Sequence, residues 1–156
     1  MTEELAPQPR DIYDVTKLAA EGLCRLFHRE TGIPTRCLRV GRFFPEPPAL
    51  TALYRLYRGL DPRDAAEAHR LAATVEGPGF GLYNIAARSP FAEADTRELW
   101  LDAAALIRRK HPDIEAIFSR HGWALPERID RVYVIERATR ELGYQPRHNF
   151  AGFLRE

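Results

Sequence analysis

Between Asp11 and Gly32 the residues Ile12, Val15, Leu18, Ala19, Gly22, Leu23 and Leu26 recur at steps of three and four, a spacing that a helix turns into one continuous face. Gly32 and Pro34 stop such a helix. Directly afterwards "PTRCLRVGRFF" alternates and brings in Cys37, Leu38, Val40, Phe43 and Phe44, which reads as a strand running into a loop at "PEPP". A long amphipathic helix that feeds a strand this closely favours an α/β arrangement.

The remaining segments are mostly helical in pattern. "ALTALYRLYRG" reads as a short helix closed by Gly59, and "DPRDAAEAHRLAATVEG" as another, with Asp61 as cap and Pro62 in its first turn. "GPGFG" followed by "LYNIA" reads as a turn feeding a second strand; no capped helix or Lys-Ser/Thr pair follows the glycines, so a phosphate-binding loop is not indicated. Asp95 or Thr96 caps "RELWLDAAALIRRKH", "IEAIFSRHG" and "VIERATRELG" give two further helices, and "YQPRHNFAGFLRE" a turn with a helical tail. The proline-bearing "MTEELAPQPR" is an irregular lead-in, and residues 11–156 form one domain.

Charge sets limits on function. A net charge of +1 with no block of like sign gives no field suited to nucleic acid or a membrane surface. The longest near-apolar stretch, "LWLDAAALI", is interrupted by Asp102 and too short to span a bilayer, so a soluble, cytoplasmic protein is expected. Cys24 and Cys37 lack zinc spacing and are expected to be reduced, buried thiols; no metal site is indicated.

Tyr13 and Lys17 stand four apart on the first helix, on the side away from its apolar stripe, and so face a cleft, another subunit or water. A phenol is a poor acid or base at neutral pH, and bringing its pKa from about 10 toward 7 takes roughly 4 kcal/mol of preferential phenolate stabilisation. A lysine ammonium one turn along is the kind of group that supplies it. By itself the spacing is a weak signal, since an ordinary surface pair has the same form.

The surrounding text adds to it. "YDVTKLAAEGLCRLFHRETGIPTRCLRVGRFFPEP" resembles the active-site helix and following strand of the extended short-chain dehydrogenase/reductase family, the NAD-dependent epimerases and dehydratases of nucleotide sugars. "DPRDAAEAHRLA" resembles that family's D-x-A-x-A helix, "GLYNIAA" the next strand, and "ERATRELGYQPRHNF" its C-terminal signature, with Arg137 or Glu136 near the usual lysine position. The landmarks occur in family order over about residues 11–153. The resemblance implies a partial Rossmann-like α/β fold, helix-rich with few strands, and an NAD(P) cofactor. It implies Tyr13 as the acid/base, Lys17 as the residue that holds the nicotinamide ribose and eases ionisation of the phenol, and Phe44 as a wall of the nicotinamide pocket. Arg63 and Arg128 fall where the family places arginines on the substrate diphosphate, and Asp64 matches an aspartate expected to serve as a cap or ion-pair partner.

One part of the family pattern is missing. No G-x-x-G-x-x-G occurs, although the family grips its dinucleotide with such a turn and the helix N-terminus behind it. The expectation is therefore an epimerase/dehydratase-like chain that lacks the dinucleotide-binding half and is inactive alone; the alternative is a non-catalytic oligomerisation or partner-binding remnant. In the full fold the "TRCLRV" strand has neighbours on both edges, and unpaired edges or bare apolar helix faces favour association. A homo-oligomer, or docking on a separately encoded N-terminal half, is expected, with a monomer of rearranged helical core as the remaining possibility.

Overall fold

A computed structural model describes residues 1–77 and 79–153. The chain runs α1 (Ile12–Thr31), β1 (Thr35–Val40), α2 (Pro48–Arg55), α3 (Pro62–Thr74), β2 (Phe80–Ile85), a 3-10 turn at Glu93–Asp95, α4 (Thr96–Lys110), α5 (Ile114–Arg120), α6 (Glu136–Leu142) and α7 (Phe150–Phe153). β1 and β2 pair in parallel, Thr35 opposite Phe80 through Val40 opposite Ile85, so the fold is helix-rich α/β with a small parallel sheet.

Local chemistry sets the ends of α1. The Asp11 carboxylate accepts the backbone N–H of Asp14, a cap worth about 1 kcal/mol. At the other end Gly32 takes φ 70°, left-handed backbone that a side chain would strain, and its N–H closes on the His28 carbonyl.

Alternation on the strands divides their contacts. On one face Arg36 reaches across to donate to the carbonyls of Ala72 and Val75 at the end of α3, while Tyr83 and Ile85 are buried beneath α3 and α6. Leu60, Ala68, Ala138 and Leu142 complete that core. A second core joins α2, α4 and α5 through Leu56, Leu99, Leu106, Ile114 and Phe118.

α4 is less regular than its apolar spacing suggests. Asp102 leaves helical geometry (φ −157°, ψ 77°), and its carboxylate caps a restart by accepting the N–H of Ala105. The backbone groups freed on either side bond the 127–129 segment: Ala103 N–H to the Glu127 carbonyl, Ile129 N–H to the Leu99 carbonyl. Asp95 precedes α4 but turns its carboxylate to the Ala92 N–H and the Lys110 ammonium instead of capping the helix.

The lead-in has no helix or strand, yet its first residues are held. Met1 accepts from the N–H of Val134 and the Asn84 amide, and the Glu3 carboxylate, 8% exposed, accepts the Asn84 backbone N–H. These bonds satisfy polar groups along β2 that would otherwise be buried bare. The turn into β2 includes Pro78, and the tail includes residues 154–156, both outside the described residues. Among the described residues no helix is long and apolar enough to cross a membrane.

Candidate functional site

α1 lies on the sheet through its polar side. Asp14, Leu18, Glu21, Cys24 and His28 are its half-covered residues, and none of its twenty is buried. Arg39 on β1 grips Glu21 with Nε and Nη2 at 2.7 and 2.8 Å. Two helical turns further, His28 Nδ1 donates to the Ile33 carbonyl, 2.7 Å away, and its ring packs on Gly79. The opposite side carries the apolar stripe, and it is bare: Ile12 is 83% exposed, Val15 53%, Leu23 65%, Phe27 49%. Of the stripe read from the sequence only Leu18 is half-covered among the apolar side chains, and the rest is not the surface by which this helix packs in the chain.

The order of those contacts runs α1 antiparallel to β1, which places the first turns of α1 toward the carboxyl end of the strand. Tyr13 and Lys17 sit there, 66% of Tyr13 being exposed, with the Lys17 ammonium 5.2 Å from the centre of the Tyr13 ring. A cation over a phenol at an exposed site is worth about 0.5–1 kcal/mol and holds the two side chains together. Phe44 lies just past the same end of β1. Its ring stacks on Phe43 at 5.8 Å, and the Arg42 guanidinium is 5.5 Å from it.

The chain beyond β1 is tightly constrained. Gly41 donates to the Ile85 carbonyl, and a Cβ there would fall 2.6 Å from the Arg58 carbonyl oxygen, so only glycine fits. Arg42 bridges to Gly59, and this brings the start of α3 to the same end of the sheet. Arg63, in the first turn of α3, is directed at Asp61, 2.9 Å from Nε, and Asp61 also receives Arg55 at 2.7 Å. The Arg63 hydrogen bond, opposed by burial, holds the Asp61 carboxyl well below its ordinary range. Asp64 is a backbone acceptor: buried, it takes the N–H groups of Arg147 and His148 at 3.0 and 2.9 Å and so ties α3 to the C-terminal segment. Arg128 lies elsewhere, its guanidinium 5.2 Å from the Trp100 ring on α4.

An arginine–aromatic cluster that the sequence analysis did not single out borders Phe44. Arg42 faces Tyr54 at 5.6 Å, and Arg58 faces Tyr54 at 4.3 Å and Tyr57 at 5.5 Å. The alternation of Arg with aromatics in "GRFFPEP" and "LYRLYRG" was the available signal. The cavity inside this cluster is about 20 Å³, room for one water. A second, of about 180 Å³, lies between Arg88, Pro90, His111 and Phe150. Burial lowers the His111 imidazole there, and its Nε2 has no partner. Neither cavity is lined by Tyr13 or Lys17.

Solved structures similar to this chain include UDP-sugar epimerases. The chain superposes on UDP-N-acetylglucosamine 4-epimerase from Bacillus cereus with a TM-score of 0.61 at 20% identity, over 97% of its own length and 53% of that chain. RMD from Pseudomonas aeruginosa, solved with NADPH, gives 0.56 at 23% identity over 98% and 56%. UDP-glucuronic acid 4-epimerase from Bacillus cereus, solved with UDP-glucuronic acid and NAD, gives 0.54 at 18% over 99% and 54%. The chain shares the fold of part of these enzymes. This chain spans about half the length of the proteins it matches. No protein-family profile and no curated protein sequence matches it.

Among the described residues no Gly-rich turn leads into a helix, the usual cradle of a dinucleotide. Its pyrophosphate requires free N–H groups at a helix start. α1, α3, α4 and α5 each begin on an aspartate, α2 on Pro47–Pro48 and α6 on Ile135. The glycines with positive φ, Gly32, Gly122 and Gly143, follow helices instead of preceding them.

Proposed function

We propose that this chain is the acid/base and substrate-side half of an NAD(P)-dependent nucleotide-sugar epimerase or dehydratase, completed by a dinucleotide-binding unit outside these 156 residues. The observation that carries this reading is the attitude of α1: it presents Tyr13 and Lys17 at its open end and turns its apolar stripe away from its own sheet. Fully burying such a side chain gains about 1.5–3 kcal/mol, so Ile12, Val15, Leu23, Leu26 and Phe27 together favour association by several kcal/mol before its entropic cost. β1 adds a free edge, since β2 is its one neighbour among the described residues. A second copy of the chain brings no pyrophosphate cradle, whereas a dinucleotide-binding unit brings both that cradle and the missing strands.

In the completed protein the dyad lies at the carboxyl end of an extended parallel sheet, where α/β folds bind nucleotides. Lys17 supplies positive charge beside the phenol, and the Tyr13 hydroxyl exchanges a proton with a sugar hydroxyl. Phe44 flanks the nicotinamide end, and Arg63, at the same end of the sheet, exchanges Asp61 for the diphosphate of the nucleotide sugar, while Arg128, held against Trp100, reaches it only after moving. The test is an epimerisation assay with UDP-sugars and NAD, using the chain alone and mixed with the separately expressed dinucleotide-binding half of an epimerase. Turnover in the mixture only, abolished by Tyr13→Phe, supports the reading; turnover by the chain alone refutes the need for a separate dinucleotide-binding unit.

A second reading, a non-catalytic module that self-associates through α1, is favoured by the absence of Tyr13 and Lys17 from both cavity walls. A stable dimer that Leu23→Glu dissociates, with no turnover in any mixture, supports it.

A further inference from the structure

The contact between α1 and β1 is a single line of side chains. The Glu21–Arg39 pair and the seat of His28 at Ile33 and Gly79 fix the helix against the strand at two points, and Cys24 lies between them on the same half-covered side of α1. Moving three residues along α1 from Glu21 advances about 4.5 Å. Moving back two residues along β1 from Arg39 stays on the same strand face and reaches Cys37, about 6.6 Å away. The two side chains therefore face each other across the α1–β1 seam, near enough for the Cys24 thiol to act on the acidity of Cys37. Both are free and half-buried, within reach of a small reagent. Burial first, and the neighbouring thiol second, push Cys37 up to about 11, so Cys37 rests as a neutral thiol.

We propose that Cys24 and Cys37 form a reversible dithiol–disulfide site, oxidised by a small-molecule disulfide of the glutathione class, that locks α1 onto β1. One cysteine, as thiolate, attacks the glutathione disulfide, breaks its S–S bond and releases one glutathione thiolate, which takes up a proton. The other cysteine loses its proton, attacks the mixed disulfide and releases the second glutathione. Two protein thiols are oxidised to one disulfide and one glutathione disulfide is reduced to two thiols. A disulfide needs its sulfurs about 2.05 Å apart, and α1, with no buried residue and one packed side, is free to make the small adjustment. The bond spans thirteen positions and converts the dyad-bearing helix from a loosely seated element into a covalently tethered one. The proposal is independent of whether the chain is half of an epimerase.

The test is equilibration of the native chain in glutathione redox buffers, read by intact mass and tryptic mapping. The expected product is lighter by two hydrogens, carries peptide Leu18–Arg25 joined to Cys37–Arg39, reverts with dithiothreitol, and forms faster in the native chain than in urea. It unfolds at a higher temperature than the reduced chain, and Cys24→Ser and Cys37→Ser stop at a single glutathione adduct. A native chain that retains two free thiols, accumulates glutathione adducts, or links only between molecules overturns the proposal.

Discussion

Arg39 holds both carboxylate oxygens of Glu21, at 2.7 and 2.8 Å, and this one pair fixes which side of α1 faces the sheet. Both side chains are about three-quarters covered, so the pair is less screened than a surface ion pair. Glu21→Gln should loosen α1 by about 1 kcal/mol, read as a roughly fivefold loss of amide-exchange protection confined to Ile12–Thr31. Equal loss across β2 and α6 would mean that the pair supports the whole fold.

The apolar stripe should be nearly irrelevant to the stability of the isolated chain. Leu23→Glu combined with Phe27→Glu should change unfolding free energy by less than about 0.5 kcal/mol while reducing binding of an apolar dye. Were the stripe packed internally, each substitution would cost about 2–5 kcal/mol, and a melting experiment separates the two cases.

These two predictions mark the limit of what the sequence conveyed. Asp11, Gly32 and the three-and-four spacing fixed the bounds of α1, because capping and periodicity are local. Which face is covered depends on what else the chain offers, and here β1 offers Arg39 and Cys37 to the polar side. The same applies at Asp102, where the apolar spacing continues but the 127–129 backbone takes the bonds that the helix gives up. Met1 and Glu3 read as solvated lead-in, since their anchors, Asn84 and Val134, are more than eighty residues away. At the candidate site Tyr13, Lys17, Phe44 and Arg63 were legible as residues, and the topology carries them to one end of the sheet. The arrangement of Arg42 and Arg58 over the tyrosines of α2 emerged only with the turn through Gly59.

Asp61 should dominate the acid limb of stability. Arg63 and Arg55 stabilise its charged form, so its pKa is lower in the folded chain than in the unfolded one. The stabilisation is present above the unfolded value and lost as pH falls through the folded one. Asp61→Asn should cost about 2–3 kcal/mol at pH 7 by removing the counter-charge from buried Arg55, and the gap to wild type should narrow below about pH 4. A gap constant with pH in urea titrations would assign the loss to packing.

Tyr144 should govern the alkaline limb. Burial, followed by the charge of Asp64, raises its phenol, whose hydroxyl donates to the Ala86 carbonyl at 3.1 Å. The sign is opposite to that of Asp61: stability is complete below the unfolded pKa near 10 and declines as pH rises above it. Tyr144→Phe should cost about 1 kcal/mol at pH 7 and show a shallower loss above pH 10. Parallel alkaline curves for the two proteins would exclude Tyr144 as the titrating group.

Calorimetric titration of the purified chain with NAD tests the central claim most directly. No Gly-rich turn leads into a described helix to seat a pyrophosphate, and Tyr13 and Lys17 stand in the open, so no binding heat is expected at micromolar NAD. A saturable micromolar isotherm from this chain alone would contradict the account.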